Sequence, residues 1–408
     1  MERFEKQVVG YTAVCHGLVH VLELTYGAVL ISIAREFGAS LFVLGILANV
    51  LGFAFGAMSL PTGFLADRKS ERNLLIVCCL GMGTSAVVIG FSPNIYVLGV
   101  GLFSLGLALG IYHPAATTFI SRVVTQRSLG FGYQGIGGNI GLAMGPILAG
   151  SIAAFLDWRA AYLIFAIPAL LMAGVFFFTM RADKPLSVQI STEEAEGPEG
   201  AWRPVIISLV LICTAQVMNG FVYRGLVTFL PIYLSQRVDI AILDLDPVLI
   251  AGSFTTVALM FGVGGQFLGG YLSEHRRPDT IAFWLAVLAV PLLLAMGNSY
   301  GLTLIMAAAG FAFFHFMTQP TYNSLIANYT PARWRGRMFG IYFFATYGGG
   351  SFSASILGYV ADRLGTNWVF IASAGFGVVA ILCTSLLLAR ALKRDKHGTR
   401  VDLSVGAR

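Results

Sequence analysis

Residues Ser59–Arg72 read SLPTGFLADRKSER, and the runs on either side, LFVLGILANVLGFAFGAM (41–58) and NLLIVCCLGMGTSAVVIG (73–90), carry no charge. A basic turn between two apolar runs of about 18 residues reads as two spanning helices that meet at a membrane surface. The rest of the chain repeats that pattern. Of its 408 residues 57% are hydrophobic and 11% charged, and the mean hydropathy is +0.78. A water-soluble domain of this length needs more charge to cover itself, so lipid is the expected solvent. The segments lack the period-2 alternation of an outer-membrane barrel, which leaves helices as the spanning element.

Apolar runs set against polar breaks predict twelve transmembrane helices near 10–34, 41–66, 73–91, 95–120, 129–156, 159–180, 205–236, 247–272, 280–298, 300–328, 335–361 and 367–390. The longest polar break, 181–204, carries Glu193, Glu194, Glu196 and Glu199 with three prolines, and reads as a cytoplasmic linker. The expected organisation is an all-α membrane protein. It has an N-terminal six-helix bundle (1–180), the linker, a C-terminal six-helix bundle (205–392) and a cytoplasmic tail (393–408). No removable signal peptide is expected from the opening MERFEKQVVG.

The net charge of +6 does not point to nucleic acid, because the basic residues sit in short loops. With the N-terminus inside, 21 of the 26 lysines and arginines fall in cytoplasmic segments. Only Arg35, Arg159, Arg237 and Arg363 fall outside, and Arg224 lies within a helix. That asymmetry predicts both termini in the cytoplasm. The five cysteines all lie in apolar runs without ligand or redox spacing, so they read as small buried hydrophobes.

The two halves echo one another at an offset near 206. FLGGYLSEHRRPD (267–279) answers the opening stretch, and Gln319-Pro320 answers His113-Pro114. Repetition of this kind implies parallel halves that share a solute site.

The loop Gly63-Phe64-Leu65-Ala66-Asp67-Arg68-Lys69-Ser70-Glu71-Arg72 resembles the signature of the major facilitator superfamily. It departs at Ser70, where the family prefers glycine, and at Glu71, where it prefers arginine. The resemblance implies the major facilitator fold and a gating latch built from Gly63, Asp67, Arg68 and Arg72, with Asp67 set at the start of the eleventh helix. Gly132, Gly141, Gly145, Pro146 and Gly150 resemble the fifth-helix motif common in proton-coupled exporters. Glycines at this spacing also serve plain helix packing, and the proline bends its helix. His113-Pro114, followed by Gly137-Gly138-Asn139-x-Gly141, is similar to the fosmidomycin-resistance group of bacterial efflux proteins. That likeness implies an inner-membrane location.

Ionisable side chains at bilayer depth are costly and therefore functional candidates. His16, His20 and Glu23, spaced i, i+4, i+7, share one helical face, and Tyr26 extends it. Glu23 with His20 is the expected proton-coupling pair. The expected substrate contacts are His16, Tyr26, Tyr112, His113, Asn139, Asn219, Tyr223, Arg224, His315, Gln319 and Asn323, on helices 1, 4, 5, 7 and 10. Arg224 would hold an anionic group or pair with Glu23. His113 could instead be a core histidine whose ring bonds the carbonyl freed by Pro114.

The reading is a secondary transporter, not an enzyme, that moves a small solute by alternating access. Proton-coupled efflux of a drug-like or anionic metabolite is expected, from a monomer. The alternatives are a passive uniporter or uptake carrier for an organic anion, a divalent-metal carrier and a lipid carrier. Three ligands on one helix do not close a metal sphere, so no metal site is assigned. No phosphate-binding glycine loop is present, and no cofactor is expected.

Overall fold

The computed structural model describes residues 1–39, 41–180, 203–238 and 247–396. The linker assigned to 181–204 falls almost wholly outside them, as does most of the tail. Among the described residues every regular element is helical. Among those residues, ten helices are long and apolar enough to cross a membrane by length and composition.

The helices are α1 Arg3–Phe37, α2 Leu41–Ala66, α3 Glu71–Gly90, α4 Ile95–Val123, α5 Arg127–Phe155 and α6 Trp158–Thr179. The second set is α7 Arg203–Arg237, α8 Pro247–His275, α9 Pro278–Asn298, α10 Gly301–Tyr329, α11 and α12 Asn367–Lys396. The boundaries expected from sequence agree to within a few residues at most ends. The exception is α11, which comes in three pieces: α-helix Arg335–Phe343, π-helix Phe344–Gly349 and α-helix Gly350–Leu364. Gly38 closes α1 in the left-handed region at φ 58°, where a residue without Cβ avoids strain. Asn94 opens α4 by accepting from the Tyr96 and Val97 N–H groups.

The chain forms two compact units. Unit 1 comprises Met1–Val124, Gly137–Ala195 and Ala332–Gly348; unit 2 comprises Thr125–Ile136, Glu196–Pro331 and Gly349–Arg408. In unit 1, α4 lies on α2 so closely that a Cβ at Gly106 or Gly110 would collide with the Leu51 or Phe55 carbonyl. In unit 2, Gly265 and Gly269 on α8 meet the Phe313 and Met317 carbonyls of α10 in the same manner. Lipid is as apolar as leucine, so close backbone approach rather than hydrophobic burial favours such pairs. The exposed Phe53, Phe103, Leu171 and Phe178 of unit 1 belong on a surface that faces lipid.

Pro114 inside α4 has no N–H to give the Gly110 carbonyl. Ser59 Oγ on α2 lies 3.3 Å from that carbonyl and 3.2 Å from the Phe55 carbonyl, so its one proton is shared between the two within unit 1. The His113 ring is therefore not spent on it.

Candidate functional site

In unit 1, α1 and α4 bring together four side chains that the sequence singled out. His16, His20, Glu23 and His113 are 1%, 5%, 8% and 0% exposed. His20 Nδ1 lies 2.8 Å from Glu23 Oε2, and His20 Nε2 lies 3.1 Å from His16 Nε2. With Glu23 ionised and both rings neutral, one arrangement makes both bonds: His16 Nε2–H donates to His20 Nε2, and His20 Nδ1–H donates to Glu23. The result is a directed chain of N–H groups that ends on a carboxylate.

His113 stands over this chain from α4, its ring centroid 5.0 Å from that of His16 and 5.8 Å from that of His20. Its Nε2 lies 3.1 Å from the hydroxyl of Tyr347, in the π-helical piece of α11. Phe55 and Phe343 cover the same ring at 5.8 and 4.8 Å. Single-turn π segments concentrate at functional sites. Nothing in the sequence marks a tyrosine 234 residues away as a histidine's partner.

Tyr112 stacks on His16 at 5.1 Å and donates its hydroxyl to the Thr12 carbonyl at 2.6 Å, so it holds the ring in place. Tyr26 donates to the Leu44 carbonyl of α2 at 2.8 Å. Asn139 is buried on α5. A side chain at its neighbour Gly138 would occupy the space of the His16 ring.

Three of the four glycines in the α5 motif stand at close helix contacts. Gly141 meets the Gly17 backbone, and a Cβ on Gly145 would lie 3.1 Å from Val21 Cα, both on α1. In unit 2, a Cβ on Gly132 would lie 3.0 Å from Gly270 Cα of α8. A Cβ on Gly150 would meet nothing within 4 Å, so that position carries no such constraint. Pro146 sits inside α5 without breaking it.

The signature loop has a defined geometry as well. Asp67 Oδ1 accepts the Gly336 N–H at 2.9 Å, and Oδ2 accepts the Arg337 N–H at 3.1 Å, which places a carboxylate on the N-terminus of α11. A Cβ on Gly63 would lie 2.7 Å from Gly340 Cα. Arg122, at the end of α4, donates to Asp67 at 2.9 Å and to Glu71 at 2.5 Å, and reaches the Ala66 and Ala332 carbonyls. In the sequence alone Arg122 is one of the 21 basic residues of the cytoplasmic segments. Glu71, odd for the signature, is its second acceptor. Arg68 is exposed, and Arg72 does not meet α11: it donates to the Phe176 carbonyl at 3.0 Å, and to that of Phe177, at the end of α6.

Unit 2 holds the remaining polar residues. His315 lies parallel to Tyr223 at 6.1 Å and to Phe311 at 5.2 Å. Gln319 accepts from Gln266 at 2.6 Å, and Asn219 donates to Gln216 at 3.3 Å. Asn323 is 0% exposed, and neither end of its amide meets a hydrogen-bond partner among the described residues. Arg224 is half-buried.

The Major Facilitator Superfamily profile matches residues 12–354, with a second match at 276–405. This chain belongs to the major facilitator superfamily. It is a multi-pass membrane transporter of small solutes and not an enzyme. Curated superfamily relatives include the probable sulfoacetate transporter SauU of Cupriavidus necator, 27% identical over 60% of this chain and 59% of that protein. The gentisate transporter of Corynebacterium glutamicum is 23% identical over 90% of this chain and 83% of its own length. The multidrug resistance protein MdtG of Escherichia coli is 26% identical over 60% and 59%. Among solved structures, the transporter FucP in its outward conformation aligns at TM-score 0.72 with 16% identity, over 93% of this chain and 98% of that one. The human organic anion transporter MFSD10 aligns at 0.72 with 17% identity, over 94% and 100%. At such identities these two likenesses establish the superfamily fold alone.

Proposed function

We propose that this chain is a proton-coupled efflux or exchange carrier for a small organic anion or amphipathic compound. The observation that carries the reading is the buried string His16–His20–Glu23 with His113 beside it, in a unit otherwise built of apolar helices. Four ionisable side chains at that depth are costly, and helix packing alone gives no reason to keep them. Glu23 and His20 are assigned to the coupling proton. The carboxylate sits at the end of a hydrogen-bonded chain, and a shift of protons between ring nitrogens reverses the chain's direction.

The anionic group of the solute is assigned to Arg224, and Asn219, Tyr223, His315, Gln319 and Asn323, also of unit 2, are assigned to the rest of the solute. Relatives named for sulfoacetate and gentisate, both organic acids, support an anion as cargo. Outward direction rests on the fosmidomycin-resistance likeness of the His113-Pro114 and Gly137-Gly138-Asn139 elements and on the relation to MdtG.

The test is flux in proteoliposomes. Purified protein should drive candidate organic acids against their concentration gradient when a pH gradient is imposed, and only equilibrate them when it is collapsed. Equal flux in both conditions would make the chain a passive uniporter.

A further inference from the structure

We infer that His16, His20 and His113 form a binding site for a divalent transition cation of the zinc or cobalt type. The candidate ligand nitrogens of these three buried rings all lie within 4.8 Å of one another. His16 Nε2 and His20 Nε2 are already 3.1 Å apart. Metal–imidazole bonds of about 2.0–2.1 Å at a tetrahedral angle place two ligand nitrogens ~3.3 Å apart, so one ion fits this pair with little adjustment.

Three further observations point to an ion. First, the ligands come from two elements: an i, i+4 pair on α1 and a third ring from α4. This answers the objection, drawn from α1 alone, that one helix cannot close a coordination sphere. Second, His113 is 0% exposed, and its Nδ1 meets no hydrogen-bond partner among the described residues. A buried ring nitrogen without a partner costs stability unless something fills its lone pair. Its Nε2 meanwhile faces the Tyr347 hydroxyl, which fixes the ring. Third, His20 Nδ1 rests on the Glu23 carboxylate at 2.8 Å. Carboxylate–histidine pairs of this kind orient metal-ligating imidazoles and raise their basicity.

Three neutral imidazoles suit zinc, cobalt, nickel or copper. They exclude magnesium and calcium, which take oxygen ligands. Glu23 offsets part of the ion's charge from outside the ligand set, and the fourth position is left to water or a small exogenous anion.

The competing location is the thiol pair Cys15 and Cys79, with Sγ atoms 3.4 Å apart on α1 and α3. The two locations differ in the ligand atoms an ion would see. The test uses the full chain, purified without a histidine tag and stripped with a chelator. Cobalt(II) is titrated in, its visible ligand-field bands are followed, and zinc is then used to displace it. X-ray absorption on the zinc-loaded wild type should show nitrogen neighbours at about 2.0–2.1 Å and no sulfur at about 2.3 Å.

His16→Asn and His113→Asn should each weaken binding by at least tenfold. Glu23→Gln, acting through His20, should weaken it by about 10–100-fold. His275→Asn, at an exposed residue of α8, should leave it unchanged. Absence of saturable binding, a sulfur first shell, or binding undiminished in the His16 and His113 variants would overturn the site. The absorption spectrum needs no variant, so a misfolded mutant cannot rescue the idea. Flux under a pH gradient in chelator-treated vesicles tests the transport reading separately, and either result can fail alone.

Discussion

The Glu274 carboxylate accepts the backbone N–H of Ser128 at 2.8 Å, and that of Leu129 at 3.3 Å, at the start of α5. Asp67 does the same for Gly336 and Arg337 at the start of α11. The two acids stand at corresponding places in the repeated loops, and each is backed by a glycine-to-glycine approach: Gly63 to Gly340 in unit 1, Gly132 to Gly270 in unit 2. A carboxylate on free N–H groups gains both hydrogen bonds and the favourable end of the helix dipole.

Neutralising either acid should loosen its helix start. Asp67→Asn and Glu274→Gln keep the shape and lose the charge, so each should cost about 1–3 kcal/mol of stability. Thermal denaturation in detergent reads this directly. Because the two contacts lie in different compact units, the two losses should add.

Arg122 carries a heavier duty than either acid. Its guanidinium serves two carboxylates whose side chains are 1% and 9% exposed. Arg122→Ala strands Glu71, while Asp67 keeps the Arg337 guanidinium at 3.1 Å and the two α11 N–H groups, and should cost about 3–5 kcal/mol. A second change, Glu71→Gln, removes the stranded charge and should restore part of that loss. A double-mutant cycle on melting temperature checks the sign.

Gly63 should not tolerate a side chain. Its Cβ would meet the Gly336 and Gly340 backbone, which cannot rotate away. Gly63→Val should therefore displace the start of α11 and abolish transport while the protein still inserts. Gly150→Ala, in the glycine motif of α5 and with open space around it, should transport normally. Flux assays at matched protein levels separate the two outcomes.

Glu36, at the end of α1, lies beyond the apolar span. A hydrogen bond from Arg159 holds its carboxyl below the ordinary carboxylate range, helped by the Trp158 N–H and against a smaller contrary effect of burial. A group depressed in the folded state adds stability above its unfolded value and loses it as pH falls through the folded one. Half-exposed, it adds little. The melting-temperature gap between wild type and Glu36→Gln should be small at neutral pH and vanish in acid.

How much of this was legible in the sequence varied with range. Helices, signature loop and the His16–His20–Glu23 face are local patterns of period 3.6, and they emerge from residues within a few turns of one another. The partners do not. Arg122 is one basic loop residue among many until Asp67 and Glu71, more than 50 residues earlier, are seen to share it. Glu274 reads as a loop charge until Ser128 lies beside it. Pro114 announces a carbonyl without a donor, but the sequence cannot say that Ser59 reaches it and leaves the His113 ring to Tyr347. The π turn of α11 has no proline to signal it. It sits where Gly348 comes close enough for a Cβ on Gly56 to touch its backbone nitrogen.

The central assignment is that Glu23, held by His20, carries the proton that drives transport. It is tested most directly by comparing wild type and Glu23→Gln in the same vesicles, first for uphill accumulation under an imposed pH gradient and then for solute counterflow without one. The account predicts that the variant keeps counterflow and loses uphill accumulation. A variant that accumulates solute as the wild type does would contradict it.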